Sequence, residues 1–219
     1  AASGLELRCL SHYMAKWDGG AYGKIVVEGK SSDGTDIHTA NQKAAVLPNR
    51  DMAKTFIYGF LYGARDAKLG SIVKGSEREG KRLRAAFLKA IPALGKLTEA
   101  VKKAAKERGW LRGLDGRRLH VRSQHAALNT LLQSAGALVM KAALVIADWL
   151  LQAEGLVPGV DYEFVLNIHD EFQVEALPAK AEQVGQILAS AIQAAGAFFN
   201  FRCPLAGEYK IGGNWAETH

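Results

Sequence analysis

The chain has 219 residues, of which 48% are hydrophobic and 23% are charged, as in an ordinary globular protein. This composition excludes a disordered tail, a coiled-coil rod and a collagen-like chain, and the length allows one or two domains with a substantial core. Only two cysteines are present, Cys9 and Cys203. They are too few for a disulfide framework, so a reducing compartment is expected.

The net charge of +6 is unevenly distributed along the chain. Residues 1–49 carry 5 basic and 5 acidic side chains, residues 50–122 carry 19 and 7, and residues 123–219 carry 4 and 10. The middle segment therefore has a net charge of +12. Such a distribution favours a polyanion bound to the middle of the chain, the alternative being a lysine-rich, solvated helix face.

The first predicted elements are a short strand from Leu5 that turns into a helix through Trp17, followed by a glycine- and serine-rich loop at 19–34. A short apolar segment at 25–27 interrupts this loop. Asp36 is placed as the N-cap of the next helix, because a short acidic side chain is favoured at that position.

The basic middle of the chain is predicted to be helical. One helix, rich in aromatic residues, opens at Asn49 or Asp51 and ends near position 63, and two more cover 77–90 and 93–108. A β-hairpin follows at 110–121, because Asp-Gly at its centre is a strong turn signal.

The last third combines long helices with short strands. The predicted elements are a helix at 126–154, a hairpin at 163–176, a helix at 179–196 and a short strand at 209–211. The apolar run at 135–147 is too short to span a membrane and is typical of a buried helix. The fold class is therefore α+β, with helices in the middle and strands contributed by both ends.

The first candidate site is the series Arg50, Lys54, Tyr58 and Tyr62, whose four-residue spacing places neighbours on one helical face. Arginine and lysine neutralise phosphates, and an aromatic ring stacks against a base. This pattern favours a nucleotide site. The alternative is an amphipathic helix whose tyrosines pack into the core.

The second candidate site is His169-Asp170-Glu171, at the tip of the hairpin predicted for FVLNIHDEFQVEA. Adjacent carboxylates on a rigid turn suit a hard cation. A solvated turn is the alternative, because aspartate is common in turns for local hydrogen bonding.

The third candidate site is the pair Asn129 and Gln133 in ALNTLLQSAGA. Two amides on one helical face can donate to minor-groove acceptors, which are similar for all base pairs. The alternative is ordinary polarity on a helix surface.

Taken together, these segments resemble DNA polymerase family A, the DNA polymerase I family. ASGLELRCLSHYMAKWD resembles its first polymerase motif, RDMAKTFIYGFLYG the fingers helix, RLHVRSQHAALNTLLQSAGA the template-contacting helix and NIHDEFQVEA the third motif. The order of these motifs is that of the family, and the resemblance covers essentially the whole chain. It is strongest to the replicative polymerases of short-tailed bacteriophages.

The resemblance implies a polymerase palm, an antiparallel sheet with helices, combined with helical fingers. Residues 1–35 would be palm, 36–118 fingers and 119–219 palm. The thumb and the proofreading exonuclease would lie outside this chain. For a phage protein, the expected location is the cytoplasm of the bacterial host, without a membrane partner.

The family reaction is template-directed addition of a nucleotide to a primer 3′ end, catalysed by two magnesium ions. The resemblance makes Asp170 a metal ligand, Glu171 a secondary acidic group and the Ala2 carbonyl a further ligand. Ala1 stands where the first motif of the family has aspartate. We therefore expect this chain to be inactive alone, because a methyl group cannot bind magnesium.

The resemblance also implies roles in substrate binding. His38, Arg50 and Lys54 match triphosphate contacts, and Tyr58 and Tyr62 match residues beside the sugar and base. Glu6 matches a gate that, with Tyr62, crowds out a ribose 2′-hydroxyl, and Asn129, Gln133 and His169 match contacts to template or primer. The implied partners are primer–template DNA and deoxynucleoside triphosphates.

Two other interpretations keep the resemblance without autonomous catalysis. In one, the chain is a non-catalytic module that binds DNA or nucleotide through its basic middle. In the other, it is a subunit of a split polymerase and assembles with an amino-terminal polymerase chain.

Overall fold

The computed structural model describes residues 1–218 and is mainly helical within them. The helices are α1 (Leu5–Asp18), α2 (Ala21–Glu28), α3 (Ile37–Ala45), α4 (Arg50–Leu61), α5 (Asp66–Ser71), α6 (Glu77–Ala90), α7 (Pro92–Arg108), α8 (Ala127–Ala153), α9 (Ala181–Phe198) and α10 (Trp215–Thr218). The strands are β1 (Trp110–Arg112), β2 (Arg118–His120), β3 (Tyr162–Ile168) and β4 (Glu171–Ala176). This combination of helices with small antiparallel sheets confirms the α+β class.

The helices predicted in the basic middle are confirmed to within a few residues. Side-chain caps explain where α3 and α4 begin. The Asp36 carboxylate accepts a hydrogen bond from the His38 N–H at 3.2 Å and starts α3. The Asn49 side chain accepts from the Met52 N–H at 2.9 Å and starts α4. Each cap satisfies a backbone donor that has no partner inside the helix.

Both predicted hairpins are present as two-stranded antiparallel sheets. In the first, Trp110 lies opposite His120 and Arg112 lies opposite Arg118. In the second, β3 and β4 pair from Tyr162↔Ala176 to Ile168↔Glu171, with a register shift between Phe164 and Leu166.

The strand predicted at Leu5 is wrong, because α1 already begins there. Leu7, Leu10 and Met14 are buried at helical spacing, so the helical period prevails over the short alternation that suggested a strand. Extended backbone precedes the helix only at Ala2, which forms an isolated bridge with Gly207.

The loop predicted at 19–34 is also wrong over its first half, which forms α2. The Asp18 carboxylate accepts hydrogen bonds from the N–H groups of Gly20 at 2.8 Å and Tyr22 at 3.0 Å and so starts the helix. A Cβ at Gly23 would lie only 3.3 Å from the Ser11 Cβ. This glycine therefore serves the close packing of α2 on α1 rather than a turn.

Further differences concern α5 and the strand predicted at 209–211. Helix α5 was not predicted; it packs against α6, where a Cβ at Gly80 would collide with the Asp66 carbonyl. The strand predicted at 209–211 is absent from the described residues, since the Tyr209 hydroxyl donates to Glu182 and its ring fills the space beside Gly185 on α9.

Helix α8 is the central element and packs against α1, α7 and α9. Its buried side includes Leu131, Ala135 and Val139, so the apolar run at 135–147 lies in a core helix as predicted. By length and composition alone the helical segment Gln124–Ala153 could cross a membrane, a test that core helices of soluble proteins also pass. At 27 residues, α8 is about 40 Å long.

Candidate functional site

The cationic start of α4 is fixed by one buried carboxylate. Arg50 donates from Nε at 3.0 Å and from Nη2 at 2.8 Å to the Asp36 Oδ2 atom. The Thr39 hydroxyl donates to the other carboxylate oxygen at 2.6 Å. Burial opposes ionisation of Asp36, but these hydrogen bonds and that from the His38 N–H outweigh it, and the pKa of Asp36 falls to about 2. Arg50 is thus held in place while its Nη1 group makes none of these bonds.

Aromatic side chains continue from this cationic start along the same face of the helix. The ring centroids of His38 and Tyr58 are 6.3 Å apart, and those of Tyr58 and Tyr62 are 6.5 Å apart. Burial and the nearby Arg50 charge lower the pKa of His38, which favours its neutral form. Its buried Nδ1 atom has no hydrogen-bond partner within the described part of the chain. Lys54 is exposed, one turn beyond Arg50.

The series ends at Glu6 on α1. The Tyr62 hydroxyl donates to Glu6 Oε2 at 3.1 Å, and the Gln133 amide donates to Glu6 Oε1 at 3.2 Å. Burial raises the pKa of Glu6, although both hydrogen bonds act in the opposite direction. Glu6 therefore joins α4 to α8, while Tyr62 stays 54% exposed and available to a ligand.

A cleft of about 530 Å³ opens beside this junction. Its lining includes Glu6, Tyr62, Gln133, His169 and Asp170. The structure thus brings side chains from α1, α4, α8 and the second hairpin, far apart in sequence, to one surface. Asn129 is not part of this lining; its buried Oδ1 atom lacks a hydrogen-bond partner among residues 1–218.

The turn that carries Asp170 is tied to the start of the chain by main-chain bonds. The Ala2 N–H donates to the Asp170 carbonyl at 2.8 Å, and the Glu208 N–H donates to the Ala1 carbonyl at 2.9 Å. His169 has a φ of 51°, a left-handed conformation that is uncommon for residues other than glycine. A strained residue that persists next to a cleft is typical of a functional turn.

The side chains around Asp170 do not supply enough ligand atoms for a site that holds two metal ions. The carboxylate of Glu171 accepts hydrogen bonds from Trp215 Nε1 at 3.1 Å and from Gln173 Nε2. Residue 1 contributes only a methyl group, and within residues 1–218 no group of three or more His, Cys, Asp or Glu side chains is placed to hold a metal. Magnesium accepts one protein carboxylate when substrate phosphates complete its shell, so Asp170 is compatible with one ion at most.

Sequence reasoning identified Asp36 only as a helix cap and missed its second partner. The contact between Asp36 and Arg50 joins residues 14 apart, and it depends on how α3 packs against α4. A usable signal was present, however. A carboxylate two residues before a candidate phosphate-binding histidine can pair with a cation at the start of the next helix.

Comparison with known proteins agrees with the geometry. The model of "DNA polymerase family A" matches residues 3–217. The chain is 46% identical to the "DNA-directed DNA polymerase" of Enterobacteria phage T3 and, at the same identity, to that of Escherichia phage T7, in each case over 100% of this chain but 32% of the relative. The chain therefore spans about a third of the length of these relatives.

A solved structure shows the same fold. It is described as the "POL domain of Pol1 from M. smegmatis complex with DNA primer-template and dNTP" and matches 94% of this chain and 38% of its own chain, with a TM-score of 0.76 and 21% identity. The polymerase fold expected from the motifs is thereby confirmed, and the family match covers nearly every described residue. The chain belongs to DNA polymerase family A.

Proposed function

We propose that the chain is the nucleotide- and template-binding part of a DNA polymerase that extends a primer by template-directed synthesis. One observation carries this proposal. Beyond Arg50 at the start of α4, ring contacts join His38, Tyr58 and Tyr62, and a hydrogen bond from Tyr62 leads to Glu6 in the cleft beside Asp170. Cations at one end and a carboxylate at the other match the two ends of a nucleotide undergoing transfer.

The proposed substrates are deoxynucleoside triphosphates and primer–template DNA. The T3 and T7 relatives are named DNA-directed DNA polymerase, and the mycobacterial domain was solved with DNA primer-template and dNTP. Because two of these relatives are phage polymerases, we propose the cytoplasm of a bacterial host as the location of this chain.

Each candidate residue has a proposed role. The triphosphate binds to His38, Arg50 and Lys54; the sugar and base lie beside Tyr58 and Tyr62; and Glu6 with Tyr62 excludes a 2′-hydroxyl. Asn129, Gln133 and His169 contact the template or the primer terminus. The hydrogen bond between Gln133 and Glu6 supports a role in which the template contact and the sugar gate act together.

The proposed domain boundaries are palm at 1–35 and 119–219 and fingers at 36–118. The remaining polymerase elements, including the thumb, would come from polypeptide outside this chain. The exposed side chains Val165 (59%) and Trp149 (67%) leave apolar surface on β3 and α8 that such polypeptide can cover.

Magnesium is the proposed cofactor, with Asp170 and the Ala2 carbonyl as the ligands this chain supplies. With alanine at position 1, the chain lacks the second carboxylate, and we expect a barrier higher by about 4 kcal/mol or more, a rate loss of several orders of magnitude. A second function follows from this deficiency. The chain would then be a module that binds DNA or nucleotide without catalysis.

A primer-extension assay tests the main proposal. The chain is supplied with the amino-terminal two thirds of the T7 relative as a separate polypeptide, with magnesium, and is compared with its Ala1→Asp variant. We expect extension to rise by several orders of magnitude in Ala1→Asp and to disappear when Asp170→Ala is added. Full activity of the Asp170→Ala variant would show that the metal assignment is wrong.

The same assay distinguishes the two functions. Extension by the unaltered chain would contradict the expected inactivity and remove the case for a non-catalytic module. Binding of primer–template that weakens with salt, without extension, would favour the module, because phosphate contacts release counterions.

A further inference from the structure

Residues 212–218 fold back on themselves through bonds between near neighbours. The Asn214 side chain accepts a hydrogen bond from the Glu217 N–H at 3.3 Å, and the Glu217 carboxylate accepts one from the Gly213 N–H at 2.7 Å. Such reciprocal bonds cap the start of a helix, here the short α10. They place Trp215, the first residue of α10, beside the second hairpin. We call residues 212–218 the Trp215 clasp.

The Trp215 clasp binds Glu171, the residue that follows Asp170. Trp215 Nε1 donates to Glu171 Oε1 at 3.1 Å. Gln173 Nε2 donates to the same oxygen, because residues two apart on a strand share one face. Each carboxylate oxygen offers about two acceptor positions, so these two donors fill those of Oε1. Glu171 Oε1 can therefore become a metal ligand only if one of these bonds breaks.

The two neighbouring carboxylates of this turn have different surroundings. Asp170 is exposed and lines the cleft of about 530 Å³ beside Glu6 and Tyr62, whereas Glu171 is only partly exposed and is not among the described residues that line this cleft. Hydrogen bonds to a charged acceptor are stronger than those between neutral groups, so the bonds to Glu171 resist its displacement. The structure thus presents one carboxylate to the cleft and holds the other beside the clasp.

The number of carboxylates that reach a cation influences which cation binds. Mg²⁺ requires nearly octahedral geometry and keeps several water molecules, so few protein carboxylates are needed when phosphates are also present. Ca²⁺ accepts about six to eight oxygen ligands in a flexible arrangement, and its affinity rises with the charge of the ligands. A second, mobile carboxylate beside Asp170 would therefore favour Ca²⁺ more than Mg²⁺.

We propose that Trp215 is a positioning residue that sets cation selectivity: by holding Glu171, the Trp215 clasp limits a cation at Asp170 to one carboxylate and so favours Mg²⁺ over Ca²⁺. This inference rests on the proposed function, which makes Asp170 the cation ligand. The alternative is a purely structural role, in which Trp215 only packs its segment against the hairpin. The two roles differ in their consequences, because a structural role does not distinguish one divalent cation from another.

The test measures the binding of Mg²⁺ and of Ca²⁺ to this chain by NMR, from the amide signals of His169 and Asp170 in separate titrations. The variant is Trp215→Phe, which keeps an aromatic ring but removes the indole donor. The matched control is Trp149→Phe, the same substitution at a side chain that is 67% exposed on α8. In Trp215→Phe, the affinity for Ca²⁺ should rise about tenfold and that for Mg²⁺ by less than about threefold. The control should leave both affinities unchanged.

Two further substitutions show whether Trp215 acts through Glu171. In a Glu171→Gln background, adding Trp215→Phe should change the affinity for neither cation, because no second carboxylate is left to release. Gln173→Met removes the other donor to the same oxygen and should shift the selectivity in the same direction as Trp215→Phe. An equal gain in Ca²⁺ affinity with and without the Glu171 carboxylate would contradict the inference.

Other outcomes would also overturn it. Equal changes in the affinities for both cations, together with a lower melting temperature of Trp215→Phe, would mean that Trp215 is structural. If Asp170→Asn abolishes cation binding but Trp215→Phe leaves the selectivity unchanged, only this inference fails. If the unaltered chain and Asp170→Asn give the same titrations, the metal assignment of the proposed function fails as well.

Discussion

Arg50 and Asp36 are joined by two hydrogen bonds that converge on one carboxylate oxygen, at 3.0 Å from Nε and 2.8 Å from Nη2. The same carboxylate caps α3 and accepts a bond from Thr39. One buried side chain therefore fixes both the start of α3, which carries His38, and the direction of the Arg50 side chain. Two of the three candidate phosphate contacts, His38 and Arg50, are thus positioned together.

Replacing Asp36 tests this positioning. The substitution Asp36→Asn removes the charge but keeps the size, so the chain should lose about 1–3 kcal/mol of unfolding free energy through the weakened ion pair and cap. It should also bind inorganic tripolyphosphate more weakly, because Arg50 is released. Calorimetry of unfolding and of binding measures both effects. Asp51→Asn, exposed in the first turn of α4, is the control and should change unfolding by less than about 0.5 kcal/mol.

The pH dependence of stability gives a second test of the same contact. The pKa of Asp36 is about 2 in the folded chain against an ordinary 3.8, so the unfolded state binds the proton more readily. The stabilisation is fully present above pH 4 and is lost as the pH falls toward 2. Between pH 5 and 2.5, the Asp36→Asn variant should therefore lose less unfolding free energy than the unaltered chain. Equal losses would contradict the assignment.

A second prediction about pH concerns His12, which is a base, whereas Asp36 is an acid. Burial, and to a smaller extent the Arg202 charge, lowers its pKa to about 4. Its Nδ1 atom accepts a hydrogen bond from the Arg202 N–H at 3.0 Å, and its ring stacks on Phe201 at 4.3 Å. The unfolded chain takes up this proton first, so stability should fall by about 1 kcal/mol as the pH drops from 7.5 to 5, after allowance for partial exposure.

The substitution His12→Asn keeps an acceptor for Arg202 but cannot titrate in this range. Denaturant unfolding at the two pH values should show a smaller pH effect in this variant. His120→Asn, at an exposed position on β2, serves as the matched substitution. An equal reduction of the pH effect in the two variants would contradict the assignment to His12.

Two glycines of the same segment should respond oppositely to alanine. Gly63 has a φ of 80°, and a Cβ there would collide with the His125 carbonyl. Gly63→Ala should destabilise the chain by about 2 kcal/mol or more. At Gly59, inside α4, a Cβ would make an ordinary contact of 3.6 Å with Leu69. Gly59→Ala should stabilise the chain by about 0.5–1 kcal/mol. Melting temperatures give both signs, and destabilisation by both would refute the account of Gly63.

The ionisation of Glu6 reports on the junction between α4 and α8. Burial raises its pKa, and the hydrogen bonds from Tyr62 and Gln133 limit that rise. Tyr62→Phe removes one of these donors, so the pKa of Glu6 should rise further. Tyr58→Phe is the control, because the hydroxyl of Tyr58 donates no hydrogen bond to Glu6 among the described contacts. Carbon-13 NMR titration of the labelled carboxyl measures the difference, and equal pKa values in the two variants would contradict the contact.

The series Arg50, Lys54, Tyr58 and Tyr62 was predictable from sequence because its arrangement depends only on the period of the α-helix. Four-residue spacing placed each member of the series beside the next one along the helix without knowledge of the fold. The hairpins were predictable for a similar reason, since Asp115-Gly116 specifies its turn locally. The bond from Tyr62 to Glu6 was anticipated only through resemblance to a family.

Other features depend on tertiary packing and were therefore missed. Gly23 is part of a glycine-rich stretch that suggests a loop, yet it lies where α2 crosses α1. The contact between Asp36 and Arg50 likewise requires α3 and α4 to meet at their amino-terminal ends. Neither relationship has a period or a local signature, so sequence patterns do not reveal it.

The bond from the Ala2 N–H to the Asp170 carbonyl, which holds the Asp170 turn against the start of the chain, and the neighbouring bond from the Glu208 N–H to the Ala1 carbonyl both connect backbone atoms. Their formation does not depend on which side chain occupies position 1. A carboxylate introduced there would enter a framework that is already assembled. The backbone architecture of this centre is thus separable from its chemistry. One substitution at position 1 can change the chemistry and leave the architecture intact.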